Sequence, residues 1–572
     1  MDNHKTKLAL SVSGAISLGS YQAGVIYEIF DLMRKSGSNA GFTIDVITGA
    51  SAGSVNSAIL GLAMMYDPQL IEFTKRIWLD GLDISVLLEK VDDPWESLLS
   101  NKVILKLKSD ILEAIRGSTA VPAAYFPDKV RIGLTLANLS GIPYPVKFSN
   151  IQESFKLTTF ADWYTVDLKK GDRSDKALEE IGHMLDIAIA SAAFPFAFPA
   201  RRLKRRCHEY ENTALEPTPS GEFEFVYVDG GVFNNEPINR ATELAAPLDA
   251  EGTSRVYILV DPSPPEAAVP FSGLNMLAVG ERLVPAVLTE AHFRDWYQAV
   301  KVNQRIEWKQ NLVKSLLLQS ILQSRTKTTP LGFAAPDAVF NQSLNEIVEE
   351  IAQFKAGKAK KDKSAYLETN LGRIYKTLNT NISFAAGEDQ GASQEHLAKF
   401  IFVLENIAGL REKKILDLRL ITPPEKGMLA GDFLISFGGF FSADFRKHDF
   451  NIGRSVARDF VRGPKGEGCL EADLSGVPLE DTAYDPGLNF VTIKDAPREH
   501  RVALRDNVLK KVDGLIDGLF LKQRAGFWAG ILRRVVGGAV LIFAAFVSWR
   551  WLARKAARTF LARYLNKALE IE

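Results

Sequence analysis

Cysteine is nearly absent. Cys207 and Cys469 are the only two in 572 residues and stand in no paired spacing, which excludes a disulfide framework and a cysteine metal cluster. Histidine is scarce too, with seven in the chain. Net charge is missing altogether: 69 Lys+Arg balance 69 Asp+Glu. No overall field draws the chain to nucleic acid, and any electrostatic recognition must be local. No EF-hand loop and no H-E-x-x-H pattern occurs, so no metal or cofactor is expected. The opening residues, MDNHKTKLALSVSG, hold an apolar run too short for a secretory core, and export by the common route is not expected.

What is present is enough apolar material for large cores, 46% of residues, in a chain long enough for two to four domains. Residues 6–14 read as a short buried strand running into glycine, and 18–33 as a helix stopped at Ser36-Gly37. A second strand, 42–48, precedes Gly49-Ala50-Ser51-Ala52-Gly53, and an apolar helix continues over 54–66. Strand–turn–helix thus occurs twice, as in a parallel α/β sheet. Further strands are expected at 131–137, 223–228, 255–260 and 415–422. Between the last two, 265–412 reads as helical, with the lysine-rich 355–363 as a solvated link. We divide the chain into a core (1–262), a helical lobe (263–412), a return to the core (413–500) and a C-terminal helical region (501–572).

Gly49–Gly53 fits G-x-S-x-G, in which serine sits on a strained bend between strand and helix. On its own the pattern also describes a tight turn of small residues. A nucleophilic serine needs a base and oxyanion donors. None of the seven histidines follows a strand in a convincing way. A carboxylate does: the apolar run Phe223–Val228 ends in Asp229-Gly230-Gly231, at the kind of strand end where α/β sheets place working residues. An ordinary Asp-Gly turn is the plainer reading of that dipeptide. Asn235 followed by Pro237 is expected to cap the next helix.

Taken in order, Ser13-Gly14-Ala15-Ile16-Ser17-Leu18-Gly19, Gly49–Gly53, Ala188–Pro199 and Asp229-Gly230-Gly231 resemble the patatin-like phospholipases. The resemblance covers about 1–262. The remainder, with Phe437-Gly438-Gly439-Phe440-Phe441 and Phe445–Arg454, is similar to bacterial patatin-related proteins with an extended C-terminal region. It implies a three-layer α/β/α core with a mostly parallel sheet, and a lipid acyl hydrolase of phospholipase A type. It also implies a Ser-Asp dyad in which Ser51 is the nucleophile and Asp229 the general base. Backbone N–H groups of Gly14, Ala15, Ile16 and Ala52 would form the oxyanion hole, with Gly19, Gly49, Gly53, Gly230 and Gly231 as supporting motif positions.

The first loop departs from the family pattern G-G-G-x-(R/K)-G at Ala15, Ile16 and Leu18. β-Branched Ile16 disfavours positive φ, so the loop is expected to donate if these positions keep ordinary φ. Two alternatives stand beside hydrolysis: an acyltransferase or transacylase on the same dyad, and a catalytically impaired lipid-binding protein.

Membrane lipids, phospholipid or lysophospholipid, are the expected partners. Val535–Trp549 is an uncharged run of 15 residues flanked by arginines. As a helix it would reach roughly 22 Å, short of a ~30 Å hydrocarbon core unless snorkelling side chains extend it. It is read as a membrane anchor, at the cytoplasmic face of a bacterial inner membrane, or as a buried helix. Arg201, Arg202, Lys204, Arg205 and Arg206 are read as headgroup contacts or as a solvated loop.

Overall fold

The computed structural model describes residues 6–88, 97–147 except 98, 154–263 except 196, 251 and 252, 297–308 except 298, and 338–407 except 360–361 and 382–389. It also describes 416–462 except 426 and 433–435, with scattered positions between 498 and 566. The chain divides into two compact units, Met1–Trp296 with Asp417–Glu572, and Tyr297–Leu416.

In the first unit the order is β1 (Thr6–Val12), α1 (Gly19–Ser36), β2 (Phe42–Gly49), α2 (Ala52–Met65), α3 (Lys102–Gly117), β3 (Lys129–Lys147) and β4 (Ser154–Lys169). Then come α4 (Asp175–Ser191), β5 (Arg201–Arg206), β6 (Glu222–Asp229), α5 (Ile238–Ala245) and β7 (Arg255–Val260). The sheet runs β5-β6-β3-β2-β1-β7-β8, with β4 also on β3 and β8 covering Asp417–Ile421. The pairs β1–β2, β1–β7, β2–β3 and β7–β8 are parallel. The fold is therefore mixed α/β around a mostly parallel sheet. Buried on both faces, Leu8–Val12 of β1 is apolar but for Ser11 and Val256–Val260 of β7 is apolar throughout, as central parallel strands require.

Helices cover both faces. On α2, a Cβ at Gly61 would meet the Ile132 side chain of β3. A Cβ at the adjacent Gly133 would meet Leu244 of α5. Neighbouring strand residues point to opposite faces, so α2 and α5 lie on opposite sides of the sheet.

One register relation positions the chemistry. Strand β4 occupies one edge of β3 throughout its length. The other edge is shared: β2 pairs with Arg131–Leu134, and antiparallel β6 pairs with Leu136–Asn138. The two strands approach end to end, Gly49 opposite Leu134 and Asp229 opposite Leu136. The residues that follow β2 and those that end β6 must meet.

After β8 the chain reaches α6 (Ala443–Arg462), which packs along α1. The two backbones approach so closely that a Cβ at Gly24 would lie 2.0 Å from the Phe450 carbonyl. The Glu28 carboxylate, 1% exposed, accepts bonds from Arg454 and Arg458 at 2.8 Å each.

The second unit packs Ala338–Ala359, Lys363–Asn381 and Gln390–Ile407 as helices. They share a small core of Val348, Ala352, Tyr366, Ile374, Ile401 and Phe402. The lysine-rich stretch is thus mainly helix: Lys355–Ala359 end one helix, and Lys363 opens the next and pairs with Glu349.

The basic cluster is the strand β5, paired with β6, and not a loop. Its residues alternate between solvent and interior. Arg205 is 1% exposed and bonds Asp162, Glu209, the Tyr227 hydroxyl and the Trp163 carbonyl. It is out of reach of a headgroup, which corrects that expectation. The others hold carboxylates: Arg202 with Glu224, Lys204 with Glu222, Arg206 with Glu180, and Arg201 with Asp186 at 3.7 Å. Arg205→Met is expected to leave buried carboxylates unpaired at a cost of about 3–5 kcal/mol. Thermal melting should show a midpoint on the order of 10 °C lower. Lys204→Met, in an exposed pair, should change stability by under ~1 kcal/mol.

The Val535–Trp549 segment lies outside the described residues. Among those described, no helix is long and apolar enough to cross a membrane.

Candidate active site

Ser51 sits between β2 and α2 with φ +52° and ψ −127°, a conformation that non-glycine residues adopt only when their surroundings enforce it. The enforcement is visible. Ala50 N–H donates to the Val12 carbonyl at 3.0 Å, and Gly53 N–H donates to the Ala50 carbonyl at 2.8 Å. Ser51 N–H donates to the Ser191 hydroxyl at 3.0 Å. Ser191, at the end of α4, is also 2.7 Å from the Ser54 hydroxyl. Ser191, from a helix distant in sequence, and Ser54, in the first turn of α2, thereby pin the bend.

Opposite the bend, Asp229 ends β6. Its Oδ1 accepts the Gly231 N–H at 2.7 Å, and its Oδ2 accepts the Ser51 hydroxyl at 2.5 Å. The carboxylate is buried, with 2% exposure. Burial pushes its pKa up to about 7, against the opposing effect of the hydrogen bonds from Ser51 and Gly231. An aspartate titrating there is a much better proton acceptor near neutrality than one near ~4.

The loop after β1 passes beside Ser51. Gly14 lies so close that a Cβ would fall 2.1 Å from Asn235 Oδ1 and 2.9 Å from the Ser51 Cβ. Its N–H donates to the Asn235 carbonyl at 3.1 Å, so Gly14 is already engaged and is withdrawn as an oxyanion donor. The Asn235 side-chain amide in turn donates to the Gly14 carbonyl at 3.2 Å. This corrects its expected role: α5 has Pro237 at its N-cap and no side-chain cap, because the Asn235 amide is turned to the loop.

The N–H groups of Ala15, Ile16 and Ala52 carry no hydrogen-bond partner among the described residues. Ala52 opens α2, where the first N–H groups are unsatisfied and the helix dipole favours negative charge. Ala15 has φ −146° and Ile16 φ +51°. Ile16 therefore does not keep ordinary φ. It takes the left-handed conformation suited to glycine, at a cost of about 1–3 kcal/mol.

A narrow cleft opens here, with Ile16, Ser51 and Ala52 among its lining residues. Its walls are apolar, built from Val55, Ile77, Trp78, Ile104, Phe198 and Phe440. Trp78 is held by its indole N–H, which donates to Asn56 Oδ1 at 2.7 Å, while the Asn56 amide donates to the Gly19 carbonyl at 3.1 Å. Gly19 opens α1, Gly49 ends β2, Gly53 lies in the first turn of α2, and Gly230-Gly231 form the turn after β6. Arg201, Arg202, Lys204, Arg205 and Arg206 do not line this cleft.

Sequence reasoning missed Ser191, Asn56 and Trp78. Ser191 lies in a stretch singled out for its small residues, but nothing local marks its hydroxyl as the acceptor for an amide 140 positions away. A hydroxyl bonded to a buried carboxylate, free N–H groups beside it and an apolar cleft together suit acyl transfer from a lipophilic ester.

The chain is 25% identical over 384 aligned residues to the uncharacterized protein y4iI of Sinorhizobium fredii, covering 50% of this chain and 54% of that one. It thus spans about half the length of that relative. Residues 10–242 match the family of patatin-like phospholipases. The match runs from β1 through the Ser51 bend and Asp229 into α5, and the chain carries a patatin-like phospholipase domain.

Proposed function

We propose that the protein is a lipid acyl hydrolase of phospholipase A type, working through a Ser51–Asp229 dyad. The carrying observation is the 2.5 Å bond from the Ser51 hydroxyl to a buried carboxylate, whose pKa burial pushes up to about 7. Ser51 Oγ attacks the ester carbonyl while Asp229 takes its proton. Negative charge develops on the carbonyl oxygen, and the N–H groups of Ala15, Ile16 and Ala52 stabilise it. The tetrahedral intermediate collapses, the C–O bond breaks, and the leaving alkoxide takes the proton from Asp229. Water then gives a proton to Asp229 and attacks the acyl-Ser51 ester. Fatty acid leaves, and the proton returns to Ser51.

The apolar cleft supports an acyl chain as the group bound beside Ser51. The uncharged Val535–Trp549 run and its flanking arginines support work at a membrane. The domain arrangement we favour places catalysis in the core and leaves headgroup selection to other parts of the chain.

The test is release of fatty acid and lysolipid from phospholipid vesicles by purified protein. Water as acceptor should give free fatty acid as the main product, whereas acyl transfer to an added alcohol or lysolipid as the dominant path would favour a transacylase. The base must be ionised to act, and Asp229 is protonated below its pKa. Hydrolysis should therefore fall about tenfold per pH unit below ~7 and level off above it. A rate independent of pH between 5 and 8 would remove Asp229 as the base.

A further inference from the structure

Two motifs of the C-terminal region, Phe437–Phe441 and Phe445–Arg454, lie beyond the patatin-like match. The structure brings both to the first loop. Ser17 N–H and the Ser17 hydroxyl both donate to the Ser436 carbonyl, at 3.0 and 2.5 Å. The same hydroxyl accepts the Gly439 N–H at 2.9 Å. Ser17 is fully buried, so its hydroxyl bridges two backbone groups of the C-terminal segment without competition from water.

That segment is itself anchored. The Arg446 guanidinium, 1% exposed, donates to the Gly439 carbonyl at 2.9 Å, the Phe440 carbonyl at 3.3 Å and the Leu79 carbonyl at 3.0 Å. Asp449 accepts the Ala430 and Gly431 N–H groups at 2.7 and 3.0 Å. Phe440 reaches the cleft that Ile16 and Ser51 also line.

We propose that residues 436–446 are a positioning clamp for the oxyanion loop, with Ser17 as its contact, holding Ile16 left-handed where a glycine needs no such support. The proposal rests on the dyad reading and deepens it. On the other side, Asn235 pins Gly14 through the two bonds described above. Ala15 and Ile16 are therefore fixed at both ends, and their N–H groups are left to the substrate oxygen. A glycine populates positive φ without steric cost. The clamp thus supplies from a distant segment what the loop's own sequence lacks.

The test compares wild type, Ser17→Ala, Ser17→Thr and the double variant Ile16→Gly/Ser17→Ala on a soluble short-chain ester. Ser17→Ala should lower kcat about 10- to 100-fold, because misplaced oxyanion donors act mainly on the transition state. KM should stay within about twofold. Ser17→Thr keeps the hydroxyl and should recover most of kcat. The double variant should recover at least ~10-fold over Ser17→Ala, a coupling expected only if the hydroxyl acts through Ile16. Should Ser17→Ala be too unstable to purify, Ser17→Cys, with a weak donor of similar size, carries the same comparison.

An unchanged kcat in Ser17→Ala, or a loss that Ile16→Gly leaves unrelieved, would overturn the clamp. Inactive wild type with no fluorophosphonate labelling at Ser51 would instead overturn the dyad reading. The two failures are therefore separable.

Discussion

Ser51→Ala is expected to lower ester hydrolysis by about 10⁴-fold or more, the scale on which nucleophilic serines act. The alanine methyl can neither attack nor donate to Asp229 Oδ2, the acceptor in the 2.5 Å bond. The N–H donors and the apolar cleft remain, so binding of a lipid ester should persist while turnover stops. Alanine must adopt the same φ of +52°, and loss of the hydroxyl bond leaves the buried carboxylate with the Gly231 N–H as its donor among the described residues. Melting should show a folded protein with a midpoint within a few degrees of wild type. Steady-state assay of the purified variant gives the rate, and vesicle co-sedimentation gives the binding.

The second large effect is at the base. Asp229→Asn preserves shape and one carbonyl oxygen but cannot take a proton at neutral pH. Hydrolysis should fall about 10²–10⁴-fold, with KM little changed. The pH dependence should change with it: the acid limb centred near 7 in wild type should disappear from the residual activity. Sign matters here. The wild-type carboxyl is held above the ordinary aspartate range by burial, so lowering the pH neutralises it well before an exposed aspartate would protonate. If Asp229→Asn retains the same acid limb, another group is the base.

Much of this site is legible locally because its parts are turns with demanding backbones. Gly49–Gly53 and Asp229-Gly230-Gly231 each end an apolar run, and those runs are β2 and β6. The strands at Thr6–Val12 and Arg255–Val260 show in the same way, as short buried runs bounded by turn residues, and the half-buried Asp417–Ile421 shows as a short run ending before Pro423-Pro424. The joining of β2 and β6 along one edge of β3 is not legible. It depends on β3 being 19 residues long, and only its segment 131–137 reads as strand. The rest carries Gly141, Pro143 and Pro145, which argue against strand by propensity. Residues 154–169 are not legible as a strand for a related reason, since their pairing along β3 is set by tertiary structure.

β5 illustrates a reversal of pattern. Five cations in six residues look like solvated loop, yet Leu203 and Arg205 are the inward positions of a strand. Arg205 can occupy a core position because Asp162 and Glu209 are there to receive it. Carboxylates contributed by other segments cannot be read from the cluster itself. Ile16 is the same lesson at the site. Its side chain argues for ordinary φ, and the structure places it at +51°. The bonds that hold it come from Asn235 and Ser436, hundreds of residues away.

The central claim is that Ser51 is a nucleophile activated by Asp229. Its most direct test is reaction of the wild-type protein with a fluorophosphonate, followed by intact mass and peptide mapping. The account predicts one adduct per chain, on Ser51, formed faster above pH 7 than below it and absent from Ser51→Ala. An unlabelled wild type, or an adduct on any other residue, would contradict it.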